Sequence, residues 1–159
     1  MITTRHVKQW LKVLALTLLS VALMSFWKYS RTTENDLRSV VFRYELQERT
    51  GLRILSINQP GNLGKDPDAE VMRQLGDFKD RIRKASESDW DSKGCCRDKL
   101  TKQSAPCITV GSMKRVSSTE VHVSGSTRIG DMGGDYYDYI LRRRFWSWHV
   151  VKRINTGSS

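Results

Sequence analysis

The feature that most constrains this chain is a run of fifteen residues without a charge, from Val13 to Trp27. Extended back to Trp10, the segment has 18 residues. As a helix it would be about 27 Å long, close to the ~30 Å hydrocarbon layer of a membrane. A tryptophan at each end suits the two membrane interfaces, where amphipathic rings are favoured. The sequence therefore predicts a transmembrane anchor at about residues 10–27, within an N-terminal segment of residues 1–30.

A cleaved signal peptide is the competing interpretation, because a basic start and a short apolar core are typical of one. Cleavage needs small residues at fixed positions after the apolar core. Ser20 and Ala22 are small but lie inside the run, and Phe26 and Trp27 at its end are large. We therefore expect an anchor that stays uncleaved.

The orientation of the anchor follows from the cations on its two sides. The side with more Lys and Arg usually stays in the cytoplasm. The N-terminal side has a small excess, which predicts a single-pass protein of the inner (cytoplasmic) membrane, with its N-terminus inside and its domain outside. The cations are Arg5, Lys8 and Lys12 before the run, and Lys28 and Arg31 after it.

Residues 31–159 are expected to form one domain, since this length can bury a single modest core. The whole chain has a net charge of +10. A basic balance of this size, without zinc-finger spacing or an RNA-binding signature, gives little support to nucleic-acid binding. We expect no nucleic-acid partner and no cofactor.

The first half of the domain has the pattern of two helices. An apolar stripe at helical spacing predicts a long helix that opens at Thr33 and ends near Gly51. Pro67 and Gly76 bracket a shorter helix. Between the two helices, Leu52–Asn58 is a β-rich run and residues 59–68 form a loop. After the second helix, residues 79–104 are expected to be a long irregular connection. The stripe consists of Leu37, Val40, Val41 and Tyr44.

From residue 108 the apolar periodicity changes to two, which is typical of strands. Strands are predicted to begin at Ile108 and near Val121, and to span residues 136–144 and 146–154, with a hairpin turn at residues 128–135. The predicted fold class is α+β: a transmembrane helix, then a cone-like domain of a long helix, a short helix and a curved antiparallel sheet of about four strands.

Six short motifs follow one another along the domain in an order that resembles a known family. The chain resembles the nuclear-transport-factor-2-like (cystatin-like) α+β cone of small, uncharacterised bacterial membrane-anchored proteins. The resemblance implies a helix and a curved sheet around a pocket, but no single activity. Such domains usually have a Gly before the Trp of the closing turn, where this chain has Phe145. The motifs are Arg38–Tyr44, Asp66-Pro67, Arg83–Ser86, Val116–Val123, Tyr139–Leu141 and Trp148–Val150.

Three cysteines lie close together in the sequence: Cys95, Cys96 and Cys107. In an oxidising compartment Cys107 is expected to form a disulfide with Cys95 or with Cys96, and the pattern leaves both pairings open. Adjacent cysteines point apart, and a zinc site needs four ligands, so we expect no metal site.

Two histidines and two aspartates are further candidates. His122 and His149 are each interpreted either as a general base or as a solvated residue on a strand face. In a strand, His122 would lie on the same side as Glu120 and Ser124. Asp131 and Asp135 flank a glycine pair, which favours a turn over a calcium loop.

Aromatic and basic side chains concentrate in the last two predicted strands. The aromatic residues could line a pocket or form core, and the basic tip could contact an acidic partner or anionic lipid, or simply protect a strand edge. This candidate pocket or interaction surface consists of Tyr137, Tyr139, Arg142, Arg143, Arg144, Trp146 and Trp148.

The sequence lacks a recognisable nucleophile motif, phosphate loop or metal cluster. We therefore expect a membrane-anchored, non-catalytic binding or assembly module of the cell envelope, whose partner is another envelope protein or a second copy of the chain. Two alternatives stay open: a small-ligand pocket protein, and a hydrolase or isomerase on the same fold.

Overall fold

A computed structural model describes residues 32–57, 64–90, 96–130 and 133–158, together with seven residues near the N-terminus, and for Trp90 only the backbone. The chain divides into two units, Met1–Thr33 and Glu34–Ser159. In the first unit the described residues between Trp10 and Ser20 are helical, and the Thr17 hydroxyl donates to the carbonyls of Val13 and Leu14.

The predicted membrane anchor, residues 10–27, lies mostly outside the described residues. Among the residues that are described, no helix is long and apolar enough to cross a membrane. The longest helix in the described part of the chain has 15 residues, or about 22 Å, and it is rich in charged side chains. For the residues that the structure describes, the lack of a spanning helix contradicts the predicted transmembrane helix and the predicted location in the inner membrane.

Helix α1 spans Glu34–Glu48, as the apolar stripe predicted. It buries Leu37, Val41, Phe42 and Leu46 on one side, and the chain turns at Gly51, whose φ of +88° favours glycine. Strand β1 follows at Arg53–Ile57, and the short helix α2 spans Ala69–Gln74.

The region after α2 is more ordered than the sequence indicated. Two 3₁₀ helices, Gly76–Arg81 and Ala85–Glu87, flank strand β2, Ile82–Lys84. Strands β3, Ser88–Trp90, and β4, Cys96–Asp98, pair as a separate two-stranded antiparallel sheet. The expected irregular connection over residues 79–104 is therefore wrong for much of its length. Strands of three residues are too short for a period of two to be visible.

Four longer strands complete the domain: β5, Cys107–Arg115; β6, Glu120–Arg128; β7, Gly134–Arg144; and β8, Ser147–Ser158. They join β1 and β2 in one six-stranded sheet with the order β2-β1-β5-β6-β7-β8. Strands β2, β1 and β5 run parallel, whereas β6, β7 and β8 extend the sheet as an antiparallel meander. We call β2, β1 and β5 the parallel half and β6 to β8 the antiparallel half.

This mixed, six-stranded sheet contradicts the predicted cone with a four-stranded antiparallel sheet. The β-rich run at Leu52–Asn58 lies inside the sheet, where β1 pairs in parallel with both β2 and β5. A parallel neighbour requires a crossover, which α2 and the first 3₁₀ helix supply between β1 and β2. A strand buried on both faces has no polar alternation that would reveal its place in a sheet.

The two faces of the sheet differ in what covers them. Helix α1 packs on one face, the helix face, where the main core combines α1 side chains with Leu55, Ile108, Val123 and Leu141. On the opposite face, the open face, the described residues form a smaller cluster over the parallel half. That cluster consists of Ile54, Cys96, Ala105 and Cys107, with Leu52 packed against it.

Candidate functional site

The turn between β7 and β8 exposes two large aromatic side chains. Phe145 is 91% exposed and Trp146 is 66% exposed. Phe145 has a φ of +52°, in the left-handed region that glycine adopts most easily. The turn thus keeps the backbone conformation of a glycine turn while it presents a phenylalanine to solvent.

The turn lies in a basic stretch of the chain. Residues 140–153 contain five Lys and Arg residues and no acid. Arg144, His149, Val150 and Val151 line a shallow, open depression of about 370 Å³ beside the turn. We call the exposed side chains of this region the hairpin surface: Arg142, Arg144, Phe145, Trp146, His149 and Lys152.

One cation of the hairpin surface is fixed by an acidic neighbour. Arg142 Nε donates to Glu120 Oε2 at 2.7 Å, and His122 Nε2 lies 3.1 Å from Glu120 Oε1. The hydrogen bonds from Arg142 and then His122 hold the pKa of Glu120 below its usual value. His122 therefore lies on the side of β6 that the period of two predicted, next to Glu120, and the pair orients Arg142 on the open face.

The seven residues of the predicted surface do not converge on one site. Arg142, Arg144 and Trp146 belong to the hairpin surface. Arg143 is half-buried, and its backbone N–H donates to the Thr119 carbonyl at 2.9 Å. The other three are buried in the main core on the helix face: Tyr137, Tyr139 and Trp148.

A buried charged network links α1 to the last two strands, and it was missed from the sequence. The Glu45 side chain is fully buried and accepts hydrogen bonds from Tyr139 Oη at 3.0 Å and Arg153 Nη1 at 2.9 Å. Arg49 Nε lies 3.4 Å from its second oxygen. Arg153 stacks over the Tyr137 ring at 4.9 Å. The available signal was that Glu45 follows Val41 by four residues, on the apolar stripe.

The same network shifts the ionisation of its members. Burial and the neighbouring Glu45 carboxylate raise the pKa of Tyr139, so its hydroxyl stays a donor. The hydrogen bond to Glu45 raises the pKa of Arg153. A neutral phenol and a permanent cation directed at one buried carboxylate form a clamp between helix and sheet.

Among the cysteines, Cys96 and Cys107 lie together in the open-face cluster, and Cys95 is outside the described residues. The candidate disulfide stays a prediction. Asp131 is also undescribed, while Asp135 accepts hydrogen bonds from Tyr137 and Ser158. In the described ranges, no three His, Cys, Asp or Glu side chains are grouped as metal ligands would be.

The chain matches no protein-family model, no curated protein and no solved structure. The resemblance to the nuclear-transport-factor-2-like family accordingly stays a prediction from the sequence. The chemistry of the hairpin surface is therefore the basis for a functional assignment.

Proposed function

We propose that this domain is a non-catalytic binding module that holds an acidic segment of another protein on its hairpin surface. The observation that carries the proposal is the exposure of Phe145 and Trp146 on the same hairpin as the exposed cations Arg142, Arg144 and Lys152. Aromatic residues and arginine are the residue types enriched in protein interfaces and in their binding hot spots.

A protective role for the cations alone leaves the aromatic rings unexplained. Lys and Arg at a sheet edge discourage edge-to-edge aggregation. Two adjacent exposed aromatic residues act in the opposite direction, because exposed apolar surface favours association. A partner that covers Phe145 and Trp146 would remove their apolar surface from water. Carboxylates of the same partner would lie opposite the cations Arg144 and Lys152.

The edge of the sheet offers a second set of contacts for the same partner. Strand β8 has 12 residues and is the last strand of the sheet order. An edge strand presents backbone N–H and carbonyl groups to which an extended peptide can pair. An extended acidic segment along β8 would meet Lys152 and reach the turn at Trp146.

The packing of aromatic side chains on the helix face favours this proposal over a small-ligand pocket. Tyr137, Tyr139 and Trp148 are the aromatic residues that would form the walls of a pocket. All three are packed in the core against α1. The aromatic groups available to a ligand in this region are those of the turn.

The proposal is tested by crosslinking the full-length protein in cells and identifying the proteins that purify with it. We expect a reproducible partner that is lost in the variant Arg144→Glu/Trp146→Ser. The matched control is Lys65→Glu, which reverses an exposed cation outside the hairpin surface. Retention of the partner by the hairpin variant, or equal loss in the control, would contradict the proposal.

A hydrolase is the second candidate, and one observation favours it. Glu120 can orient His122 as a general base, and Ser124 follows on the same face of β6, hydrogen-bonded to Ser112 at 3.0 Å. The binding proposal predicts that a His122→Ala variant, which changes a residue outside the hairpin surface, keeps the partner. Loss of function in a folded His122→Ala variant would move the assignment to catalysis.

A further inference from the structure

Two cysteines are brought together under the open face of the parallel half. Cys96 in β4 is 3% exposed and Cys107, the first residue of β5, is 4% exposed. The backbone fixes their proximity, because the Ala105 N–H donates to the Cys96 carbonyl at 3.0 Å. Cys107 lies opposite Ile54 of β1, and all four residues pack in one cluster.

The surroundings of Cys107 are unusually polar for a buried thiol. Its Sγ donates to Ser56 Oγ at 4.0 Å, and Ser56 Oγ lies 2.8 Å from Thr109 Oγ1. Arg128 is its direct neighbour in the register of β5 and β6. The hydrogen bond with the Cys96 thiol, followed by those with Ser56 and Thr109, holds the pKa of Cys107 below its usual value. These contacts stabilise a thiolate, which is the nucleophilic form of cysteine.

We propose that Cys96 and Cys107 are a redox-active pair that forms an intramolecular disulfide when the protein meets a peroxide, and that Cys95 takes no part. The two side chains pack in one buried cluster and interact with each other. The inference is independent of the proposed binding function, since it involves the opposite end of the sheet.

The reaction has two balanced steps with a peroxide as the oxidant. The Cys107 thiolate attacks one oxygen of hydrogen peroxide, the O–O bond breaks, and a sulfenic acid and hydroxide are formed. The Cys96 sulfur then displaces the hydroxyl from the Cys107 sulfur as an S–S bond forms. The proton of the Cys96 thiol leaves with that hydroxyl as water, and the peroxide has taken two electrons from the two sulfurs.

The bond would add a covalent link to a segment that the reduced protein holds by hydrogen bonds, such as the one from the Ala105 N–H to the Cys96 carbonyl. Ten residues, 97–106, separate the two cysteines. A disulfide there would close this loop and attach the two-stranded β3–β4 sheet to the first residue of β5. The expected consequence is slower proteolysis between residues 97 and 106 in the oxidised protein.

The test uses the full-length protein and three variants: Cys95→Ser, Cys96→Ser and Cys107→Ser. Each is treated with hydrogen peroxide, denatured, alkylated and analysed by intact mass and peptide mapping. We expect the wild type and Cys95→Ser to lose two alkylation sites each and to give a peptide linked through Cys96 and Cys107. The other two variants are expected to give no intramolecular link.

The Cys95→Ser arm decides the question, because this substitution keeps every described residue of the buried cluster, whereas the other two variants change the cluster itself. A link between Cys95 and Cys107 in the wild type would overturn the proposal. Two alkylated cysteines in Cys95→Ser after treatment, or a link only between chains, would overturn it as well.

Discussion

The parallel and antiparallel halves of the sheet differ in how many of their faces are buried. In β1 four successive residues, Ile54 to Ile57, are buried, so both faces of the strand are covered. In β7, Tyr137, Tyr139 and Leu141 are buried, while the residues between them are exposed or half-buried. Parallel strands need cover on both sides, whereas an antiparallel meander can leave one face in solvent.

This difference separates the chemistry of the two halves. Polar and thiol groups in the parallel half, such as Ser56 and Cys107, are enclosed and interact mainly with one another. Charged groups on the open face of the antiparallel half, such as Arg142 and Glu120, can meet a partner from solvent. We therefore propose binding at the antiparallel half and buried redox chemistry in the parallel half.

The largest expected effect concerns Glu45, a charged residue that α1 buries against the antiparallel half. Glu45→Ala removes the acceptor of Tyr139 and Arg153 and leaves the half-buried Arg153 cation without its partner. We expect a loss of about 3–5 kcal/mol in the free energy of unfolding, measured with urea. Glu48→Ala, an exposed position on the same helix, is the control and should change it by less than about 0.5 kcal/mol. Equal effects would show that the clamp contributes nothing.

The second prediction compares the loss of stability on replacing an isoleucine of the open face in each half of the sheet. Ile54 and Ile140 carry the same side chain on the open face, but Ile54 is buried in the parallel half and Ile140 is half-buried in the antiparallel half. Ile54→Ala should lower the free energy of unfolding by about 2–5 kcal/mol. Ile140→Ala should lower it by about 1 kcal/mol, because its side chain is already partly solvated. If the two losses are equal in urea denaturation, the contrast between the halves is wrong.

The third prediction concerns the junction of the halves, where β5 meets β6. A Cβ at Gly125 would lie 2.8 Å from the Thr109 carbonyl oxygen and 2.9 Å from a Tyr139 ring carbon. Gly125→Ala should therefore reduce the melting temperature, with a cost of about 1–3 kcal/mol from overpacking. Gly157→Ala in β8 has no atom within 4 Å of its new Cβ and serves as the matched control. A neutral Gly125→Ala would indicate that the junction is loosely packed.

The smallest expected effect is on the pH dependence of the stability that the Glu120–Arg142 pair contributes on the open face. The pKa of Glu120 is lowered, chiefly by the Arg142 hydrogen bond, so the pair stabilises the fold above the usual carboxyl value of 4.5. This contribution is lost as the pH falls below 4.5 through the lower folded value. Titration of the Glu120 carboxyl by NMR should give a midpoint below 4.5, and Arg142→Ala should raise it. An unchanged midpoint in Arg142→Ala would remove Arg142 as the cause.

Several elements of the fold could be predicted because they alternate or repeat over many residues. The apolar stripe predicted α1, and the period of two predicted β7 and β8 to within a few residues. Strand β1 was seen as a β-rich run, but its pairing depends on β2, whose three residues carry no readable period. The parallel half was missed for that reason.

Of the candidate site, the sequence could bring together only the residues that are close along the chain. Arg142, Arg144 and Trp146 are a local cluster, so the sequence alone brings them together. Tyr137 and Tyr139 share a face by alternation, but no pattern within one strand tells which face a helix will cover. Glu45 was missed because its partners, Tyr139 and Arg153, lie far away along the chain.

The central claim is that the hairpin surface binds an acidic extended segment, and peptide binding tests it most directly. A fluorescein-labelled twelve-residue peptide of alternating Glu and Val is titrated with the full-length protein by fluorescence anisotropy. A Lys-Val peptide serves as the charge control. The hairpin variant for this measurement is the charge reversal Arg144→Glu/Lys152→Glu, which differs from the Arg144→Glu/Trp146→Ser variant above. Lys65→Glu/Lys79→Glu makes the same charge change at exposed sites elsewhere.

The account predicts that the acidic peptide binds the wild type and the Lys65→Glu/Lys79→Glu variant alike. Its affinity for the hairpin variant should fall by about tenfold or more, and the Lys-Val peptide should not bind. Equal affinity for the two double variants, or no binding of the acidic peptide to the wild type, would contradict it.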